Sequence, residues 1–284
     1  MTFLEWAAQP WPDGVHELSE FPLDALHPLR HGALALRFHV NGGIITACSF
    51  DVHANHRGDE KLLEVRTYPQ GLALINRHGW LTAPFAEALY VRIIESMLGI
   101  SINARVRALR DLAMALNAAA VDAYWRYLDA SLAGQPSEAL AEREAWLAEF
   151  EALTGARMHG TYVRVGGVAA DAEPTQLERL LAAADGAVAR AAEAVVSAHG
   201  PVTVALPKVL RLPEGEAYDE LETPHGRLGI WVFSRGDKVP LRVHLRTAGF
   251  AALSSLEARA AGMRPEDLLL ELARTRLVLG EVSR

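Results

Sequence analysis

The sequence predicts an α+β fold, a central α-helical bundle flanked by β-hairpins from the N- and C-terminal segments. Three observations carry it. Two β-rich runs, Ala33–Val40 and Ile44–Phe50, are joined by Asn41-Gly42-Gly43, a strong hairpin signal. The middle of the chain holds long stretches rich in Ala, Leu and Arg, bounded by helix start and stop residues. Near the end, alternating strands over Leu228–Phe233 and Leu241–Arg246 surround Ser234-Arg235-Gly236-Asp237-Lys238, a second hairpin.

Taken in order, residues 1–26 carry three prolines and no clean periodicity, and read as a covering loop. Asp59–Val65 reads as helix, with Gly58 and Asp59 at its start. Pro69 then interrupts it, because proline cannot continue the hydrogen-bond ladder. Helix is expected from Pro84 to Leu98, with proline in the first turn and Gly99 at the end. Ala104–Leu132 reads as one long helix. Ser137–Leu153 is another, capped by Ser137 and stopped by Gly155. Pro174–Ala198 is a fourth, closed by Gly200-Pro201. Ala-rich faces suit close helix packing. A helix near Pro265–Arg274 and a short run, Leu277–Leu279, finish the chain. The organisation is an N-terminal segment, 1–26, then one α+β domain over 27–284. Within it, 27–58 is hairpin, 59–200 helical bundle, and 201–284 the C-terminal hairpin and helix.

Composition narrows the function. With 284 residues, 50% hydrophobic and 22% charged, the chain is ordinary globular material. A net charge of −7 argues against a nucleic-acid surface, which needs a basic stripe. The one cysteine, Cys48, excludes an internal disulfide, a four-cysteine zinc site and a cysteine-held iron–sulfur cluster. It fits a reducing compartment. The N-terminus has no basic head with an apolar run, so it does not read as a secretory signal. No run of apolar residues reaches membrane-spanning length.

Histidines crowd the first 60 positions, among them His27, His31, His39, His53 and His56. Histidine titrates near neutral pH and is a common ligand and proton donor. His53-x-x-His56 lacks a third ligand at a recognisable spacing, so ordinary surface histidines are the better reading. Tyr68 precedes Pro69, which pushes it out of the helical region. A tyrosine in a break between helices either presents its hydroxyl to a cavity or fills the core. Gly166-Gly167, after Tyr162-Val163-Arg164, permits a close backbone approach. The chain has no G-x-G-x-x-G, P-loop, G-x-S-x-G or H-E-x-x-H.

Five separated blocks, in order, carry more. They are HPLRHGALALRF (27–38), HRGDEKLLEVRTYPQ (56–70), GARMHGTYVRVGGVAAD (155–171), ETPHGRLGIWVFSRGDKVPLRVHLRTAGF (222–250) and LVLGEVSR (277–284). Together they resemble the D subunit of respiratory NADH–quinone oxidoreductase (complex I). That protein is itself similar to the large subunit of nickel–iron hydrogenases, and the resemblance implies that fold. A hydrogenase needs two C-x-x-C pairs. The first would fall within Arg77–Thr82, where this chain has Gly79 and Thr82, and the second near Arg274–Leu279. Neither is present, so the resemblance implies a quinone cavity and no nickel–iron centre.

The family's site residues map singly. His31, in H-P-x-x-H-G of the first hairpin, matches the quinone-headgroup histidine. Tyr68, in R-T-Y, matches the tyrosine facing it. Asp129 matches the acidic partner of the histidine. Arg57 in H-R-G and His159 in R-M-H match residues beside a 4Fe–4S cluster held by a partner subunit. Quinone reduction delivers two electrons and two protons, and an imidazole and a phenol can donate to the carbonyl oxygens. A neighbouring carboxylate would orient the imidazole and favour its protonated form. The implied partners are a small iron–sulfur subunit and other peripheral and membrane subunits, with membrane contact through them at the cytoplasmic face. The chain alone would be inactive. Against the family pattern, the segment between Gly167 and Glu222 is short, Pro69 follows Tyr68, and Leu29 and Arg30 are bulky. Those departures keep open an alternative, a non-catalytic structural or assembly subunit that keeps the fold and the partner surface.

Overall fold

In the computed structural model, residues 1–31 and 34–282 are described, His31 for its backbone alone. Gly32, Ala33, Ser283 and Arg284, which the quoted blocks include, lie outside the described residues. In chain order the first elements are α1 (Phe3–Ala7), β1 (Gly14–Leu18), β2 (Ala35–Asn41), β3 (Ile44–Asp51), α2 (Asp59–Glu64), α3 (Tyr68–His78), α4 (Ala83–Leu98), α5 (Ala104–Leu132) and α6 (Ala139–Thr154). They continue with β4 (Val163–Arg164), β5 (Gly167–Val168), α7 (Pro174–Ala183), α8 (Gly186–Ser197), β6 (Glu214–Thr223), β7 (Gly226–Arg235), β8 (Arg242–Arg246), α9 (Ala248–Arg259), α10 (Pro265–Arg274) and α11 (Leu279–Val282). The fold is α+β.

The chain forms two units. The first holds Met1–Arg57, Ala123–Leu140 and Thr247–Arg284. Its hairpin forms at Asn41-Gly42-Gly43, where both glycines take the positive φ that the turn demands. Strands β1, β2 and β3 make an antiparallel sheet in that order. Leu36, Phe38 and Val40 alternate inward from β2. They join Phe3, Leu256, Leu268 and Leu272 in an apolar core. The N-terminal stretch that reads as loop contains α1 and β1. Thr2 and Glu5 form a reciprocal cap on α1, and β1 is held by pairing with β2. The partner strand, not local periodicity, makes it a strand.

The second unit holds Gly58–Asp122 and Ala141–Arg246. Its centre is α4, apolar on nearly every side and buried accordingly, with Leu89, Tyr90, Val91 and Ile94 at no exposure. Pro69 does not end a helix here; it begins one. Proline lacks only an N–H that a first turn leaves unpaired anyway, and Thr67 with Gln70 closes a capping box on α3. Tyr68 is accordingly the first residue of a helix, not a residue in a break between two. The expected helix over Pro174–Ala198 is two helices. Ala184 and Asp185 are extended and Gly186 has φ 59°, which splits α7 from α8. The expected C-terminal hairpin gains a third strand, since β6 pairs along its whole length with β7. The polar run Glu214–Thr223 hides this strand because only one face meets the core. Helix α9 is likewise an addition to the expected elements.

A buried ion pair ties α4 and α5 to the β4–β5 turn. Arg110 holds Glu95 through two bonds of 2.9 and 2.7 Å, and donates to the carbonyls of Arg164 and Gly167. Glu95 in turn accepts the Gly166 N–H at 2.7 Å. Gly167 packs so closely that a Cβ there would overlap the Val202 carbonyl, the close approach that its glycine pair permits.

Candidate functional site

The sequence-predicted residues divide between the two units, and each is described within its own. In the first unit, His31 ends a 3-10 turn, Pro28–His31, that precedes β2 and is not part of the hairpin itself. Its side chain lies outside the described residues. His27 fixes the start of that turn. Its ring is buried, Nε2–H donates to the Ala273 carbonyl at 2.9 Å, and Nδ1 accepts the Leu29 N–H at 3.3 Å. Leu29 is buried, and Arg30 turns away to the Leu23 carbonyl at 2.8 Å. Arg30 is exposed, so its charge is not held in an apolar space. Asp129 is exposed near the end of α5, and Arg57 is exposed ahead of α2. His53 is exposed and bonded to Asp51 at 2.8 Å.

In the second unit Tyr68 is wholly buried in the apolar core. Burial pushes its hydroxyl above the ordinary phenol range. Ser234 is close enough to moderate that shift, but its Oγ–H is directed at the Leu212 carbonyl, and the Tyr68 hydroxyl makes no hydrogen bond among the described residues. Tyr90, also buried without a hydrogen-bond partner for its hydroxyl among the described residues, is raised further for the same reason.

His159 sits elsewhere in that unit. It lines a cavity of about 30 Å³, large enough to hold water, together with Trp80, Asn117, Arg143, Phe150 and Arg157. Its Nδ1 meets Asn76 Oδ1 at 2.5 Å. The Nδ2 of Asn76 donates to Glu87 Oε1, and Glu87 Oε2 accepts the Val163 N–H at 3.0 Å. Burial pushes the Glu87 carboxyl up to about 7, against the lowering effect of the N–H groups it accepts.

A second buried pair lies at the far end of α3. His78 Nδ1 meets Asp59 Oδ2 at 2.8 Å, both side chains almost fully enclosed. Sequence reasoning misses Glu87, Asn76, His78 and Asp59. One signal is available for the first of them. Glu87 is one of two carboxylates, with Glu95, in the otherwise largely apolar α4, and a carboxylate on such a helix must be paired or neutral where it is buried.

Among the described residues no group of three or more His, Cys, Asp or Glu side chains could hold a metal ion, and no helix is long and apolar enough to cross a membrane. What the second unit offers chemically is proton exchange, through a histidine at a cavity and a buried acid behind it.

Comparison with known proteins places this architecture. One solved structure, the membrane-bound sulfane sulfur reductase (MBS), an archaeal respiratory membrane complex, contains a chain with the same fold. The likeness covers 96% of this chain and 100% of that one, at a TM-score of 0.75 and 19% identity. A NADH-quinone oxidoreductase D subunit of Salinispora arenicola is 28% identical over 361 aligned positions, covering 91% of this chain and 92% of the relative. The NADH-quinone oxidoreductase D subunit of Acidothermus cellulolyticus is 33% identical over 182 positions, covering 60% of this chain and 41% of its own. The Salinispora alignment is longer than this chain of 284 residues, so the relative carries internal segments that are lacking here. The family described as respiratory-chain NADH dehydrogenase, 49 Kd subunit, matches residues 135–196 and 203–284, just over half of the chain. Its break at 197–202 falls between Gly167 and Glu222, the stretch expected from the sequence to be short. On these grounds the chain belongs to the family of the 49 kDa subunit of respiratory-chain NADH dehydrogenase.

Proposed function

We propose that this chain is the quinone-reactive subunit of a membrane-associated, complex I-like oxidoreductase. It takes electrons from a 4Fe–4S cluster on a small partner subunit and delivers them to quinone. The observation that carries this reading is family membership in a chain whose blocks keep Arg57, Tyr68 and His159 in their expected motifs. In this reading Tyr68 and His31 donate to the quinone oxygens, Asp129 supports His31, and Arg57 and His159 lie beside the partner's cluster. A cation there would stabilise the reduced cluster. Work with NADH itself would fall to other subunits, since this chain carries no nucleotide motif. The complex would sit peripherally, at the cytoplasmic face of the membrane, held there by partner subunits.

One observation favours a second reading, a structural or assembly subunit. Tyr68 is wholly buried in the apolar core of its unit, and its hydroxyl has no hydrogen-bond partner among the described residues. Co-expression with the cluster-bearing subunit separates the two. The first reading expects a stable complex that shows the reduced cluster by electron paramagnetic resonance and reduces a soluble quinone analogue. A stable complex whose cluster reduces but never passes electrons to quinone supports the second.

A further inference from the structure

Among the described residues two that are not glycine have positive φ, and they are near neighbours: His159 at 59° and Thr161 at 45°. Backbone of this kind is held only where its surroundings over-determine it. One side chain gathers the backbone N–H groups beside it. Glu87, buried on α4, accepts the Val163 N–H, and the N–H groups of Thr161 and Tyr162 also point to its carboxylate. Successive N–H groups converging on one anion make a nest.

The same carboxylate orients His159. Its remaining oxygen accepts from Asn76 Nδ2, which turns Asn76 Oδ1 toward the imidazole. A carbonyl oxygen only accepts, so His159 Nδ1 must carry the hydrogen. We propose that Glu87, acting through Asn76, is the positioning residue of His159: it fixes the Nδ1–H tautomer and couples proton uptake at Nε2 to the charge of the buried carboxyl. This deepens the proposed function, and it rests on that reading only for what the proton serves.

Burial raises the Glu87 carboxyl to about 7, and one side chain, Asn76, separates it from the imidazole, so its charge acts on His159. The other charged groups at the His159 cavity are Arg143 on α6 and Arg157 on the loop. Both are paired, Arg143 with Glu144 at 2.8 Å, and Arg157 with Glu144 and with Glu151 at 3.4 Å. From α3 and α4 the facing groups are Asn76 and Glu87.

The test is two-bond ¹⁵N–¹H spectroscopy on the full chain with labelled histidine, His159 being assigned by the peaks lost in His159→Gln. Neutral His159 is expected as the Nδ1–H tautomer. Glu87→Gln keeps a carbonyl oxygen for the nest and presents its amide N–H to Asn76, which must flip to accept it. Asn76 Nδ2 then faces the ring, so His159 switches to Nε2–H and its midpoint falls by on the order of one pH unit. Asn76→Ala should leave both tautomers populated. A wild-type chain with His159 as Nε2–H overturns the proposal without any variant having to fold. So does a folded Glu87→Gln chain with tautomer and midpoint unchanged. Neither outcome involves quinone, so the oxidoreductase reading stands or falls on its own assay.

Discussion

Glu87 and Tyr68 are both buried on apolar ground, and they should respond to change in opposite ways. Glu87 holds its proton more tightly folded than unfolded, about 7 against an ordinary 4.5. Between those values the folded chain binds the proton and the unfolded chain has released it. Stability therefore falls as pH rises from about 4.5 to about 7, and levels off above that. The span corresponds to on the order of 3 kcal/mol. Urea titrations of the chain across this window should show the decline, and Glu87→Gln should flatten it. Tyr68→Phe removes a buried hydroxyl that has no hydrogen-bond partner among the described residues, so thermal melts of the isolated chain should change by no more than about 0.5 kcal/mol, or rise. Tyr68 is legible in the sequence from its motif, and its burial is one of two readings there. Glu87 is not legible, because its partner Asn76 and the N–H groups of residues 161–163 reach it only through tertiary folding.

At the level of elements, helix ends with local signals are readable. The bounds of α5 and α10 match expectation to the residue, and Pro84 and Gly99 bracket α4 within one position. Elements that depend on distant partners are not. Strand β1 exists through β2, and β6 exists through β7. Pro69 misleads because one residue type marks both the stop and the start of a helix, and only the Thr67–Gln70 capping box decides between them. The ion pair Glu95–Arg110 fastens α4, α5 and the β4–β5 turn together. Arg110→Met should strand the Glu95 carboxylate in the core and cost about 3–5 kcal/mol in denaturant titrations. Gly167→Ala should cost about 1–3 kcal/mol, since its methyl group would overlap the Val202 carbonyl.

For the whole molecule, the α+β class follows from the hairpin turns and the helical middle, and the family follows from five ordered blocks. The single cysteine, Cys48, is half-buried and pushed up to about 11 by burial and by Glu257, so it is a poor thiolate. The family's longer members carry segments that this chain lacks, and the two units keep separate apolar cores. A trimmed member of this family should still need its partner subunits for activity. The most direct measurement is quinone reduction by the co-expressed complex carrying Tyr68→Phe or His31→Ala. If this chain reduces quinone, each change should lower kcat at least tenfold, while the complex stays assembled and its cluster stays reducible. Full quinone reductase activity in both variants would contradict the account.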